Sequence, residues 1–301
     1  MHMGEYIRIC REKLGWTQEK LVEELFLYDI DRFGGVDTTT VSKWERGASR
    51  PPLRRTQALI RFFQYHLSRP LPCWTARNEE DAMESLCDGE IAQILGSPKH
   101  LVARVPLGID FSRGVRLMSL RGHPRAEELL EITAMMLETT ATPYDRVGET
   151  ELKRWMNCPD HLFTVVVYRD TFLGLFFSLR LKPESFEKVL AFEKRKWELG
   201  EEDWATARER CSILPVAFHA LTQPVGTLLM ARLYAHLLAH QEEVEAVGFV
   251  SSLRETEKVA ENMGLRCIGE REVGETRLHA YRGDLYDLFA SPLIVKSLFE
   301  R

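Results

Sequence analysis

Seven basic side chains crowd one short stretch of this chain. Between Val41 and Pro70 stand Lys43, Arg46, Arg50, Arg54, Arg55, Arg61 and Arg69, opposed by Glu45 alone. Such a face attracts phosphate, because local charge density rather than overall charge concentrates anions at a surface. It stands out against the rest of the protein. Residues 1–70 carry 12 Lys/Arg and 9 Asp/Glu, whereas residues 71–301 carry 28 and 36, and the whole chain has a net charge of −5. Other reactive residue types give less. His236 and His240 lie four apart on an expected helix, but Leu237, Leu238 and Ala239 fill the positions where a zinc-hydrolase helix needs its glutamate, which leaves a polar helix face. His219, on an expected strand, has general base and satisfied strand histidine as its two readings, the second being simpler. Cys10, Cys73, Cys87, Cys158, Cys211 and Cys267 are scattered without a C-x-x-C pair, which argues against a structural zinc site or a disulfide framework and for reduced thiols in a cytoplasmic protein. No catalytic residue and no metal ligand is assigned from these patterns.

The elements beneath the basic face are short helices. Tyr6, Ile9, Cys10 and Leu14 repeat at helical spacing before Gly15, and Thr17 is an N-cap for a second helix with Leu21, Val22 and Leu25 on its apolar stripe. Asp37 caps a third, short helix whose inward positions are Val41 and Trp44 and whose end is Gly47. Pro51 and Pro52 open a fourth, with Leu53, Leu59, Ile60 and Phe63 as core and an arginine-rich outer face.

The series R-x-K-L-G-W-T-Q-E-K-L, V-D-T-T-T-V-S-K-W-E-R-G and R-P-P-L, spread over Tyr6 to Phe63, resembles the XRE (Cro and phage-repressor) helix-turn-helix family. The resemblance implies a transcriptional regulator whose third helix enters a major groove about 12 Å wide. It places Thr38, Thr39 and Lys43 toward the bases, counts Ser42 among the DNA-binding residues, and places Gln18, Arg46 and Arg50 toward phosphates, with Arg54 or Arg55 adding to them. It also pairs Arg11 with Glu45. Such domains bind a double-stranded operator as dimers, so a homodimer is expected. One departure is an insert of about nine residues, Phe26 to Gly34, between the second and third helices. It either extends the second helix, touches DNA through Arg32, or meets a partner chain.

Beyond residue 70 the pattern changes. Pro70, Pro72, Pro98 and Pro106 punctuate a linker containing one apolar-striped helix, Asn78 to Leu95, whose Ala82, Met83, Leu86, Ile91, Ile94 and Leu95 are too many for a free spacer. From Val115 strands and helices alternate through a hairpin (Leu162–Tyr168 and Phe172–Leu181), strands at Cys211–Leu221 and Val244–Ser251, a closing strand pair and a last helix from Leu285 to Phe299. The charged run Glu193 to Glu202 reads as a solvated helix. The segment Q-P-V-G-T-L, after a strand and before a helix, is similar to the pyrophosphate loop of GNAT acyltransferases, in which backbone N–H groups hold coenzyme A. That resemblance implies Gln223, Val225, Gly226 and Thr227 as cofactor residues, but Leu228 stands where the family has a second small residue, and Ala260 where a general-acid tyrosine is common.

The expected architecture is therefore α plus α/β: an all-helical helix-turn-helix domain over 1–69, a linker with a connector helix over 70–110, and a mixed α/β GNAT-like domain over 111–301. The leading function is DNA-binding regulation, with a C-terminal domain that dimerises or senses a small-molecule effector without a cofactor. The alternatives are an acyl-CoA-dependent N-acyltransferase fused to a DNA-binding module, or an antitoxin-like protein that neutralises a partner. Nothing in the composition calls for a membrane.

Overall fold

The computed structural model describes residues 1–74, 83, 86, 90–96, 101–103, 114–140, 147–169 and 171–299. The chain divides into two compact units, one of Met1–Gln93, Ala231–Glu242 and Leu285–Arg301, the other of Ile94–Met230 and Glu243–Asp284. Most of the expected connector helix lies outside the described residues. Within them, Glu90–Gln93 form a 3-10 turn, and Leu86, Ile91, Ile94 and Leu95 are buried.

The helical unit begins with α1 (Met3–Lys13), α2 (Gln18–Tyr28), α3 (Ile30–Phe33), α4 (Thr38–Glu45) and α5 (Leu53–Leu67). Local chemistry fixes their starts. Thr17 Oγ1 accepts the Lys20 N–H at 3.2 Å, and Asp37 Oδ1 accepts the Thr40 N–H at 2.7 Å, each satisfying a donor that the first helical turn leaves free. Tyr6, Leu21, Leu25, Val41, Leu59, Phe62 and Phe63 are fully buried, and Tyr6 meets Phe63 edge-on with ring centroids 5.9 Å apart. The insert extends α2 to Tyr28. It then makes one more turn, α3, capped by Asp29 Oδ1 on the Arg32 N–H at 3.0 Å and anchored by buried Phe33.

The last helix differs from expectation. It is two, α11 (Leu285–Phe289) and α12 (Pro292–Phe299), joined where Pro292 opens a new first turn. Both belong to the helical unit, although their sequence follows the α/β elements directly. The Phe299 ring lies 5.1 Å from Tyr6 and 5.3 Å from Trp74. Gln57 Nε2 donates to Ala290 O at 2.9 Å, Gln64 Nε2 to Tyr286 O at 3.0 Å, and Arg61 pairs with Asp287 at 2.8 Å. The physical reason is that α12 buries Ile294, Val295, Leu298 and Phe299, and a helix with so little polar surface must be covered on several sides.

The second unit is mixed α/β around a seven-stranded sheet of order β1-β2-β3-β4-β5-β7-β6. In chain order it contains β1 (Val115–Ser119), α6 (Ala126–Thr140), α7 (Glu149–Asn157), β2 (Leu162–Tyr168), β3 (Thr171–Leu181), α8 (Pro183–Leu190) and β4 (Cys211–Ala220). Then come α9 (Gln223–Ala239), β5 (Val244–Ser251), α10 (Glu255–Met263), β6 (Arg266–Val273) and β7 (Thr276–Asp284). β3 is buried without a break from Leu173 to Leu181, the mark of a strand covered on both faces. One core joins Leu130, Trp155, Val165, Leu179, Phe186 and Leu214, with Phe163 and Phe177 stacked at 4.3 Å. The run Glu193 to Glu202, expected to be a solvated helix, instead forms 3-10 turns. Lys194 reaches buried Asp203 at 2.6 Å and Lys196 is itself buried, so internal pairing replaces a water-facing stripe. No helix among the described residues is long and apolar enough to cross a membrane.

Candidate functional site

In the helical unit the chemistry gathers at α4. Val41 and Trp44 point inward, Thr39, Lys43 and Arg46 are exposed, and Thr38 and Ser42 are half-buried. The helix is held from behind by a polar cluster. Arg11 Nε donates to Glu45 Oε1 at 2.6 Å and its Nη2 to Oε2 at 3.2 Å, a two-pronged contact that fixes distance and angle together. Gln18 Nε2 donates to the same carboxylate at 2.7 Å. Gln18 thus spends one of its donors orienting α2 against α4, in addition to any role toward phosphate. Gly4 brings α1 closer still, since a Cβ there would run into the Trp44 carbonyl oxygen.

The remaining arginines fall into two groups. Arg46 Nε donates back to Ser42 O at 3.2 Å, so its guanidinium lies along α4, and Arg50 is exposed in the turn that follows. Arg54 and Arg55 sit with the insert instead. With Tyr28, Asp29, Asp31, Arg32 and Arg61 they line an open cavity of about 990 Å³, and Arg55 Nε donates to Arg32 O at 2.8 Å. The insert therefore carries acid and base together at the start of α5.

In the sheet unit the candidate cofactor loop lies where β4 and β5 part. These strands are parallel and paired only from Cys211 to Ile213, which leaves the β4 edge beyond Ile213 without β5 as its partner. α9 follows directly. Its opening turn is internally satisfied: Thr222 Oγ1 accepts the Val225 N–H at 3.4 Å, Thr222 O accepts the Gly226 N–H at 3.1 Å, and Thr227 Oγ1 donates to Gln223 O at 3.0 Å. Gly226 permits a close approach, but the group that approaches is protein. A Cβ at Gly226 would lie 2.6 Å from Leu95 Cδ1 and 3.6 Å from Val102 Cγ2.

The chain also pairs with the parted edge. Ala220 N donates to Leu101 O at 2.9 Å and Ala103 N to Ala220 O at 2.9 Å, so 101–103 run parallel to the end of β4. Because β3 holds the opposite edge of β4, this short segment takes the side from which β5 has departed. Crowding at the loop thus comes from Leu95 at Gly226, whereas the sequence draws attention to Leu228, which is half-buried. The apolar stripe marks Leu95 for burial without naming its partner, and Val102 escapes sequence reasoning because three extended residues between prolines carry no periodic signal of a distant one.

The histidines and thiols are shaped by burial. Desolvation lowers the pKa of His219 on β4 and keeps its imidazole neutral. His161 is pushed down to about 3, first by burial and then by the charges of Arg121 and Arg180, while its Nδ1 accepts the Arg180 N–H at 3.2 Å. Burial pushes the Cys211 thiol up to about 12, which makes it a poor nucleophile. Ala260 is fully buried on α10 and offers no proton. The His236 and His240 rings meet at a tilt with centroids 4.5 Å apart on α9, with His236 buried, so that part of the helix is not a solvated polar face.

No family profile matches the chain, and no curated protein matches it. Among solved structures it is similar to Arabidopsis thaliana Naa50 bound to a bisubstrate analogue, at 11% identity and TM-score 0.38 over 56% of this chain and 98% of that one. It is also similar to FeeM, an N-acyl amino acid synthase from uncultured soil microbes, at 11% identity and TM-score 0.41 over 60% and 95%. A third is the AHL synthase LasI, at 14% identity and TM-score 0.38 over 58% and 92%. At these values no activity, ligand or partner passes from those proteins to this chain.

Proposed function

We propose that this chain is a sequence-specific DNA-binding regulator that reads an operator through α4. The pose of α4 carries this reading: a helix capped by Asp37 and braced by Arg11, Gln18 and Glu45, with Thr39 and Lys43 turned outward beside Arg46 and Arg50. A lysine there can donate to guanine acceptors, and threonines can hydrogen-bond or touch a thymine methyl. One short helix makes few base contacts, so the active form is a homodimer on half-sites about 34 Å apart. In this reading the sheet unit supplies dimer contacts or senses an effector.

The test begins by selecting bound fragments from genomic DNA. Lys43→Ala should then weaken binding to the selected site by roughly 1 to 3 kcal/mol and relax preference at one base pair. Arg50→Ala should weaken binding to all sequences and reduce the slope of log affinity against log salt by about 1. If both variants bind like the parent, α4 is not the reading helix.

A second reading, acyl transfer from an acyl-CoA, is favoured by the parting of β4 from β5 with a helix N-terminus at its mouth. Leu95 and the 101–103 segment oppose it by standing where an extended ligand would pair. Calorimetry with coenzyme A separates the two. Saturable binding by the parent protein, followed by acyl transfer, would replace the regulator reading of the sheet unit.

A further inference from the structure

Among the described residues, Cys267, Glu270 and His279 place one ligand atom each within 4.8 Å of the others. Their sequence positions hide this. In a regular strand residues three apart face opposite sides, so Cys267 and Glu270 on β6 should be separated by the sheet itself. The register shows why they are not. Cys267 lies opposite Tyr281, but Gly269 lies opposite Ala280, so Ile268 is an extra residue in β6. Such a bulge reverses the alternation beyond it. Glu270 then lies opposite His279, two residues from Tyr281, and all three side chains share one face of the hairpin.

The local contacts leave these groups available. Glu270 Oε1 faces His279 Nδ1 at 3.4 Å. Its other oxygen is 3.7 Å from Arg277, which is better satisfied by Glu272 at 3.0 Å. The Cys267 thiol is exposed and donates only weakly to Gly269 O, at 3.6 Å. A tetrahedral ion with bonds of about 2.0 to 2.3 Å holds its ligands roughly 3.3 to 3.8 Å apart, so rotamer changes of about 1 Å would close the set.

We propose that Cys267, Glu270 and His279 form a binding site for a divalent ion of the zinc class. The soft thiolate and borderline imidazole, joined by a carboxylate that zinc also accepts, favour zinc or cobalt over calcium or magnesium. Three protein ligands leave a fourth position for water or another small donor. The thiol proton is released as the metal–sulfur bond forms, so binding strengthens as pH rises. The ion would clamp the edge strand β6 to β7, and the claim stands apart from DNA binding.

The test titrates Co²⁺ into the full-length protein after treatment with a chelator. One ion per chain should bind, with a thiolate-to-cobalt charge-transfer absorption in the near ultraviolet that Zn²⁺ abolishes by displacement. Cys267→Ser should remove that absorption and Cys158→Ser should leave it. His279→Ala and Glu270→Gln should each weaken Zn²⁺ binding at least about tenfold, as loss of a metal-site group commonly does. Absence of the absorption in the parent, its persistence in Cys267→Ser, or parental Zn²⁺ affinity in His279→Ala would each overturn the proposal. Unchanged far-ultraviolet circular dichroism establishes that the variants are folded, and these side chains support no buried core.

Discussion

Two buried polar groups show how single residues tune this molecule. His161 is neutral because burial and two arginines resist its protonation, with a folded pKa of about 3 against an ordinary value near 6.5. Between those values the unfolded chain binds a proton that the folded chain refuses. Stability is therefore complete above about pH 6.5 and falls as pH drops toward about 3, by at most about 1.4 kcal/mol per pH unit from this group. His161→Asn keeps an acceptor for the Arg180 N–H and should flatten that slope in urea titrations run at several pH values. Glu45 is the second case. Its side chain is only 5% exposed and pairs with Arg11, so Glu45→Gln leaves that mostly buried guanidinium with only the longer 3.6 Å ion pair to exposed Glu12. A loss of about 1 to 3 kcal/mol is expected in chemical denaturation. The Arg11–Glu45 contact was legible in advance from its motif. Cys267 with Glu270 was not, because strand parity argues against the pairing until the extra residue Ile268 is seen.

At the scale of elements, caps and periodicity carried the reading. Thr17 and Asp37 announce α2 and α4, and the short apolar runs around Val165, Leu175 and Phe249 announce their strands within a few residues, because those signals are local. What stayed hidden is what each element touches. Leu95 reads as a linker residue yet seals against Gly226, and Leu101–Ala103 gain a partner more than a hundred residues away. Leu95→Ala should cost about 2 to 5 kcal/mol, since it empties a filled site beside α9. An urea midpoint unchanged from the parent would show that the segment is loosely held. Gly4→Ala should also destabilise, by roughly 1 to 3 kcal/mol, because α1 must move back from the Trp44 carbonyl. Thermal unfolding measures this directly, and under the proposed regulator reading any variant that shifts α4 should lower DNA affinity with it.

At the scale of the molecule, the first seventy residues are not a free-standing piece. Their core is completed by α11 and α12, which bury Leu285, Leu288, Phe289, Ile294, Val295, Leu298 and Phe299. Each such side chain contributes about 1.5 to 3 kcal/mol on burial, so their sum rivals the total stability of a domain, about 5 to 15 kcal/mol. Truncation after Asp284 should therefore melt α1 to α5, read as a loss of helical circular dichroism beyond the removed helices and of all operator binding. A truncated chain that keeps both would show the N-terminal helices to be autonomous. The same feature sets an order in time. A ribosome delivers α1 to α5 before α11 and α12, which follow only after nearly the whole sheet unit has emerged. Until then Tyr6 lacks the cover that Phe299 provides, and the nascent helices stand as an unsealed apolar cluster of the kind chaperones guard. Under the proposed regulator reading, α4 would be held in its reading pose only after α12 has been made and has docked.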